Sequence, residues 1–299
     1  MSPNQLVTID LNFFGFPGAI ASYLIRLPHQ AVLIEPGPAS TIPTLEKAFE
    51  QVNLKPSDIS DVFVTHIHLD HAGAVGWLAK QGATIHVHPK GAPHLINPEK
   101  LIQSASRIYG DMMDTLWGEF KPVPEKNIHI PQDNEIITID GYDFQLLDTP
   151  GHSDHHYAIL FDGTLFSGDI GGIRIGNTPH VELPTPPPEF NPPKWRASLK
   201  RLRELQLQAI APTHFGIYRD VDVHLNQLES QLDQLEEWVE KFMPSNPSVD
   251  TLSNALGQWL DVQGRNRLPQ TYQPYFAHLN PTWMSAAGIY RYWHKVRQA

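Results

Sequence analysis

The sequence predicts a layered α/β protein with a C-terminal helical extension, on three observations. β-branched runs alternate with helical patterns through the first half, two Asp-Gly pairs between apolar runs mark hairpins in the middle, and apolar residues at heptad spacing begin after residue 220. A chain of 299 residues, 41% of them hydrophobic, can bury one large core, or a catalytic core with a helical appendage.

In chain order, Ala19 to Leu27 and Ala31 to Glu35 read as an opening hairpin, stopped by Pro36-Gly37-Pro38. A helical pattern from Thr41 to about Val52 follows, with Ile42, Leu45 and Phe49 at helical spacing. The β-branched run Asp61-Val62-Phe63-Val64-Thr65 then delivers the chain to His66. Ala72 to Gln81 reads as a helix ended by Gly82, and Ala83 to His88 as a strand. Between Lys90 and about Phe120 the pattern is irregular and helical, suited to a lid.

Asp140-Gly141 and Asp162-Gly163 each turn one strand into the next, which predicts a meander. The second turn pairs Phe161 with Thr164 and, if the ladder continues, His156 with Asp169. A loop with seven prolines between Pro179 and Pro193 leads to a helix from Trp195 to about Leu207. A last β run, Ala209-Ile210-Ala211, ends at Pro212-Thr213-His214. This divides the chain into a catalytic domain over 1–220 and a helical extension over 221–299. In the extension Val221, Leu225, Leu228, Leu232, Leu235, Val239 and Phe242 repeat in steps of four and three. Three heptads are the short end of a coiled-coil pattern, so packing on the chain's own core is the reading adopted, with a homodimer through these helices as the alternative.

Composition narrows the chemistry. Zero cysteines rule out disulfides and thiolate ligands, so a metal here would be held by imidazole and carboxylate. A formal charge of −10 without a Lys/Arg cluster argues against a nucleic-acid surface and favours a small-molecule substrate. The N-terminus lacks a basic segment followed by an apolar core, and no stretch approaches the ~18 apolar residues of a membrane helix, so a cytoplasmic protein without membrane contact is expected.

The 16 histidines are informative by position. His66-Ile67-His68-Leu69-Asp70-His71 follows a strand and precedes a helix. Extended residues two apart point the same way, so His66 and His68 can grip one ion together, while the turn into the helix redirects Asp70 and His71. Three further segments also begin where a β run stops: His152 after Leu146 to Gly151, Asp169 after Thr164 to Gly168, and His214 after the last run. Loops at one end of a strand scaffold are where functional residues collect.

Thr-His-Ile-His-Leu-Asp-His-Ala-Gly, then Thr-Pro-Gly-His, Ser-Gly-Asp and a late Thr-His, in that order over about residues 5 to 220, resemble the metallo-β-lactamase superfamily. The resemblance implies a four-layer αββα sandwich, with His66, His68 and His152 on one divalent metal, Asp70, His71 and His214 on a second, and Asp169 bridging. Zinc is the first choice of metal, with iron or manganese as alternatives. Two such ions share and acidify a water. The expected function is therefore a binuclear hydrolase whose metal-bound hydroxide attacks an ester, thioester or lactone carbonyl, with Asp70 as the catalytic proton carrier. Glyoxalase II and the lactonases are the most similar members in motif pattern, although Gly172 stands where similar lactonases carry a tyrosine. An iron oxidoreductase using O₂ or a persulfide is the rival reading. His156, Tyr109 and Arg174 are candidates for supporting the ligands or holding substrate. His86, His88 and His94 are expected to be structural.

Overall fold

The computed structural model describes residues 5–176 and 178–297, so both ends of the expected ranges 1–220 and 221–299, and Asn177 between them, lie outside it. Within the described residues the strands are β1 (Gln5–Asp10), β2 (Ala21–Arg26), β3 (Ala31–Ile34), β4 (Ile59–Phe63), β5 (Thr84–His86), β6 (Ile128–His129), β7 (Ile136–Ile139), β8 (Tyr142–Asp148), β9 (Tyr157–Phe161), β10 (Thr164–Phe166) and β11 (Ala209–Ala211). They form two sheets, ordered β1-β2-β3-β4-β5-β6 and β11-β10-β9-β8-β7. The helices are α1 (Ile42–Gln51), α2 (Leu69–Ala72), α3 (Val75–Lys80), α4 (Ala92–Ile96), α5 (Glu99–Tyr109), α6 (Met113–Trp117), α7 (Pro192–Arg203), α8 (Val221–Phe242), α9 (Val249–Gln263), α10 (Gln273–Leu279) and α11 (Thr282–Arg291).

Alternation along the strands makes the layers. On β2, Tyr23 and Ile25, like Phe63 on β4, face the other sheet, where they meet Phe144, Ile159 and Phe166, while Leu24 between them faces the helices. Rings of Phe63 and Phe144 stack across the sheets with centroids 5.0 Å apart. Outside the first sheet, Leu45, Phe49, Leu78 and Leu95 of α1, α3 and α4 cover Leu33 and Val62. Trp195, Leu199, Leu228, Leu232 and Leu256 of α7, α8 and α9 cover Leu165 and Ile210 of the second. The result is the expected αββα sandwich.

Both Asp-Gly hairpins close as two-residue turns, with Ile139 opposite Tyr142 and Phe161 opposite Thr164. Three expectations are corrected. The helix expected over 72–81 is two pieces, α2 and α3. A Cβ on Gly73 between them would lie 2.6 Å from Ala39 N and 2.7 Å from Pro38 Cα, so this turn presses against the loop after β3 and the chain must jog there. Helix α7 starts at Pro192 rather than Trp195: Asn191 accepts from Lys194 N–H at 3.1 Å, and Pro192-Pro193 fill the first positions, where a missing N–H costs nothing. Finally, the β9–β10 ladder ends at Ile159 opposite Phe166, so His156 and Asp169 are not a cross-strand pair.

The heptad stripe packs inside the chain. Leu225, Leu228, Leu232, Leu235 and Val239 are all buried in the cluster shared with α7, α9 and α11, so a homodimer through these helices would have to use another face. Farther on, Leu268, Tyr275 and Phe276 cross back to the core of the first sheet. Buried Glu182 in the proline loop fastens this return, accepting from Arg265 Nε at 2.8 Å, Arg265 Nη2 at 2.5 Å and Asn280 Nδ2 at 3.3 Å. No described helix is long and apolar enough to cross a membrane.

Candidate metal centre

Strand directions bring the candidate residues together. β3, β4 and β5 run parallel, so the segments after β3 and β4 leave one edge of the first sheet. In the second sheet, β10 is parallel to β11 and antiparallel to β9, and β9 is antiparallel to β8. The ends of β8, β10 and β11 and the start of β9 therefore share an edge, which delivers His152, Asp169, His214 and His156 to one place. Gly168 makes the last turn before Asp169 at φ +51°. A Cβ there would sit 2.4 Å from Thr65 Oγ1 and 2.7 Å from His156 Nε2. Only glycine lets Asp169 come in under the His66 loop.

All seven expected residues converge. His68 Nδ1 lies 2.9 Å from His66 Nε2 and 3.0 Å from His152 Nε2. Asp169 stands between two groups, with Oδ2 3.4 Å from His152 Nε2 and Oδ1 3.4 Å from His71 Nε2 and 3.5 Å from His214 Nε2. Asp70 Oδ2 lies 3.5 Å from His71 Nε2 and 3.4 Å from His214 Nε2. Donor atoms of His66, His68 and His152, of His66, His71 and Asp169, and of Asp70, His71 and His214 each fall within 4.8 Å of one another, a spacing that can hold a metal ion. His71 Nε2 and Asp169 Oδ1 are buried with no hydrogen-bond partner. Such atoms are rare because desolvation without a partner is costly, and a cation between them would satisfy both.

The far sides of the rings are tied to the protein. His152 Nδ1–H donates to Pro184 O at 3.0 Å and His214 Nδ1–H to Ala19 O at 3.1 Å. His71 Nδ1 bonds the Glu35 carboxylate, and His66 Nδ1 lies 3.0 Å from Thr65 Oγ1, which donates to Glu35 Oε2 at 3.1 Å. A neutral imidazole has one N–H, so each bond fixes Nε2 as the lone-pair nitrogen aimed at the cluster. His68 differs in presenting Nδ1.

Glu35 is the residue that motif reading missed. It is 1% exposed, adopts φ +59°, and also accepts from Thr65 N–H at 2.6 Å and Thr213 Oγ1–H at 2.8 Å. One carboxylate thus braces the loops carrying His66, His71 and His214. The available signal was its place directly after a strand, like every ligand candidate.

Burial and charge divide the cluster. Burial, reinforced by neighbouring imidazoles, pushes His66 well down and His68 down to about 3; burial also lowers His152. These three rings stay neutral, as metal ligands must. For His71 and His214 burial acts in the same direction, but the carboxylates of Asp70 and Asp169, with Glu35 beside His71, outweigh it and raise both. Those carboxyls are in turn held below the usual carboxylate range, since His71 and the other imidazoles overcome burial.

The weaker candidates separate. His156 is fully buried beneath the cluster, its Nδ1 2.9 Å from Thr149 Oγ1. Tyr109 lines the cleft above the cluster, where burial, with some help from the Asp70 charge, raises its phenol and keeps it a donor. Arg174 does not reach the cleft, which corrects its expected place among the substrate residues: Nη2 pairs with Asp220 at 2.7 Å, Nε donates to Thr178 O at 2.7 Å, and the guanidinium lies 4.0 Å from the Tyr218 ring. His86 bonds Asp61 and His129, His88 faces Asp148 at 3.3 Å, and His94 lines the cleft rather than the core.

The cleft holds about 300 Å³ and opens directly over His68, Asp70, His152 and Asp169. Its walls come from α4 to α6, the prolines at 184 and 186–188, and residues 278–285.

Comparison with known proteins identifies the family and the fold. Residues 15–214 match the family model described as the metallo-β-lactamase superfamily. A metallo-β-lactamase fold-containing protein of Sulfurisphaera tokodaii is 30% identical over 176 residues, spanning 57% of this chain and 66% of the relative, so just under two thirds of that relative is matched. A hydroxyacylglutathione hydrolase of Pseudomonas fluorescens is 26% identical over 150 residues, 49% of this chain and 45% of its own. Among solved structures, a metallo-β-lactamase family protein of Thermus thermophilus superposes with a TM-score of 0.66 at 20% identity, covering 98% of this chain and 93% of its own.

Proposed function

This chain belongs to the metallo-β-lactamase superfamily, and from that premise we propose that it is a binuclear metal-dependent hydrolase opening an ester, thioester or lactone of a small molecule. The observation that carries the reading is the pair of orphaned buried atoms, His71 Nε2 and Asp169 Oδ1, at the centre of seven converging donors. His66, His68 and His152 would hold one ion, Asp70, His71 and His214 the other, with Asp169 between them. Nitrogen and oxygen donors suit zinc first, and iron or manganese next. Divalent ions there would supply Lewis acidity, which acidifies water and polarises a carbonyl oxygen.

The chain's own residues do the rest. Glu35, Thr65 and the carbonyls of Ala19 and Pro184 hold the rings with their lone pairs inward, so the site is organised before anything binds. Asp70, one-fifth exposed at the cleft floor and kept ionised by His71 and His214, is placed to take a proton at its carboxylate and return it to a leaving group. The protonated Tyr109 hydroxyl above it can donate to a substrate oxygen. A relative named hydroxyacylglutathione hydrolase supports thioester cleavage as one form of this chemistry.

The test is elemental analysis of the purified protein alongside a screen of esters, thioesters and lactones. Zinc or manganese near two per chain with turnover of one class is expected. Iron with a redox-sensitive visible spectrum and no hydrolysis would sink the proposal in favour of the oxidoreductase.

A further inference from the structure

The cleft walls have a chemistry of their own. Leu101, Ala105 and Ile108 of α5 face Pro186, Pro187 and Met284 across the opening, so the space above the metal cluster is mostly apolar. Lys100 is the one lysine or arginine among the lining residues, which leaves little to recognise a heavily charged conjugate. Within this wall is one donor without a good acceptor. Trp117 is 7% exposed and lines the cleft with its ring, while its Nε1 is buried away from the opening. The Tyr109 hydroxyl, on a ring packed edge-on against Trp117 with centroids 5.0 Å apart, finds only Met284 Sδ at 3.9 Å, a weak acceptor. Stacking of Trp117 on Phe13, centroids 5.4 Å apart, holds the pair in place. A buried donor left without a partner costs stability, and a ligand oxygen would relieve it.

We infer that the substrate carries a hydrophobic body with an acceptor oxygen, the body lying along Leu101, Ala105, Ile108 and Met284 and the oxygen accepting from Tyr109. The inference rests on the hydrolytic reading for which bond is cut, but not for what the wall binds. A cavity of about 300 Å³ accommodates on the order of ten heavy atoms, at the ~30 Å³ a water takes in liquid. A medium-length acyl or alkyl-aryl group fits this space, while a polar tripeptide conjugate would face apolar walls with its amides unpaired.

Binding can be read apart from turnover by calorimetric titration of purified protein with butanoate, hexanoate and octanoate, and then with 4-oxooctanoate and 6-oxooctanoate. Affinity is expected to rise about fourfold per added methylene, and Ser104→Trp, a change at an exposed lining position of α5, should flatten the rise while circular dichroism stays unchanged. At least one oxo acid should match or exceed octanoate and lose about tenfold in Tyr109→Phe. An affinity independent of chain length, in wild-type protein that hydrolyses esters, would overturn the apolar subsite and leave the hydrolase standing. A chain-length series without hydrolysis of any ester would do the reverse. An oxo-acid preference unchanged in Tyr109→Phe would overturn the donor assignment.

Discussion

Floor and wall of the same cleft are built in opposite ways. The floor is polar, fully buried beneath, and set on strand ends; three of its five rings are locked by a bond to a backbone carbonyl or to Glu35, and His66 by one to Thr65. The wall is mostly apolar and assembled from three stretches far apart in sequence: α4 to α6, the proline loop and residues 278–285. Strand ends are positioned by the hydrogen-bonded ladders behind them, whereas helices and loops are positioned by side-chain packing, which tolerates more change. On the proposed reading, reaction type and substrate choice reside in separable parts of this molecule, and each is expected to change without the other.

The largest effect should come from the floor. His68→Ala or Asp169→Ala is expected to remove bound metal and reduce turnover to background while the fold persists, read by elemental analysis and circular dichroism together. Full turnover in either variant would end the proposed site.

Second in size is the strap that holds the wall. Arg265→Met leaves Glu182 fully buried with only His180 and Asn280 beside it, which should cost about 3–5 kcal/mol in chemical unfolding yet leave metal content intact. Burial alone would raise the Glu182 carboxyl, but Arg265 and His180 outweigh it and hold it below its ordinary 4.5. A carboxyl depressed in the folded state contributes fully above its unfolded value and loses that contribution as pH falls through the folded one. The wild-type advantage over Arg265→Met should therefore shrink as pH falls, beginning where the buried Glu182 carboxyl takes up its proton in the variant. An advantage that grows in acid would refute the role given to Glu182.

Glu35→Gln tests the bracing of the floor. Its amide cannot serve His71, Thr65 and Thr213 equally, so metal affinity should fall by about 10–100-fold in a chelator competition assay, with chain-length preference unchanged. A shift in that preference would mean floor and wall are coupled. Smallest of all, Asp220→Asn loosens the Arg174 pair, whose acid is well exposed, and should change stability by no more than about 1 kcal/mol and KM not at all. A marked rise in KM would restore Arg174 to the substrate site.

The floor was largely legible in the sequence because its residues carry their chemistry in a short, ordered pattern. Four ligand-type residues in six positions after a β run, and three more segments each starting where a strand stops, leave few other readings. Glu35 escaped because an isolated acid before a Pro-Gly-Pro turn looks like an ordinary loop residue; its value lies in contacts to Thr65, His71 and Thr213, up to 178 positions away. The His156–Asp169 register failed for a related reason. Period-two counting assumes the ladder continues, and the turn at Gly168, φ +51°, ends it just past Phe166. Arg174 was misplaced because a guanidinium suits a substrate and an internal ion pair equally well, and only the position of Asp220 decides between them.

By itself the sequence determined the layers, the two hairpins and the identity of the seven converging donors, since strand alternation, Asp-Gly turns and ligand spacing act over a few residues and are written locally. The tertiary structure alone decided which carboxylate braces the histidines, that the heptad stripe is buried within the chain, and that Tyr109, Pro187 and Met284 line one cleft over the His/Asp cluster. Those depend on how whole layers pack, where apolar burial is nearly blind to which residues meet, and the exact partners follow only once every layer is in place.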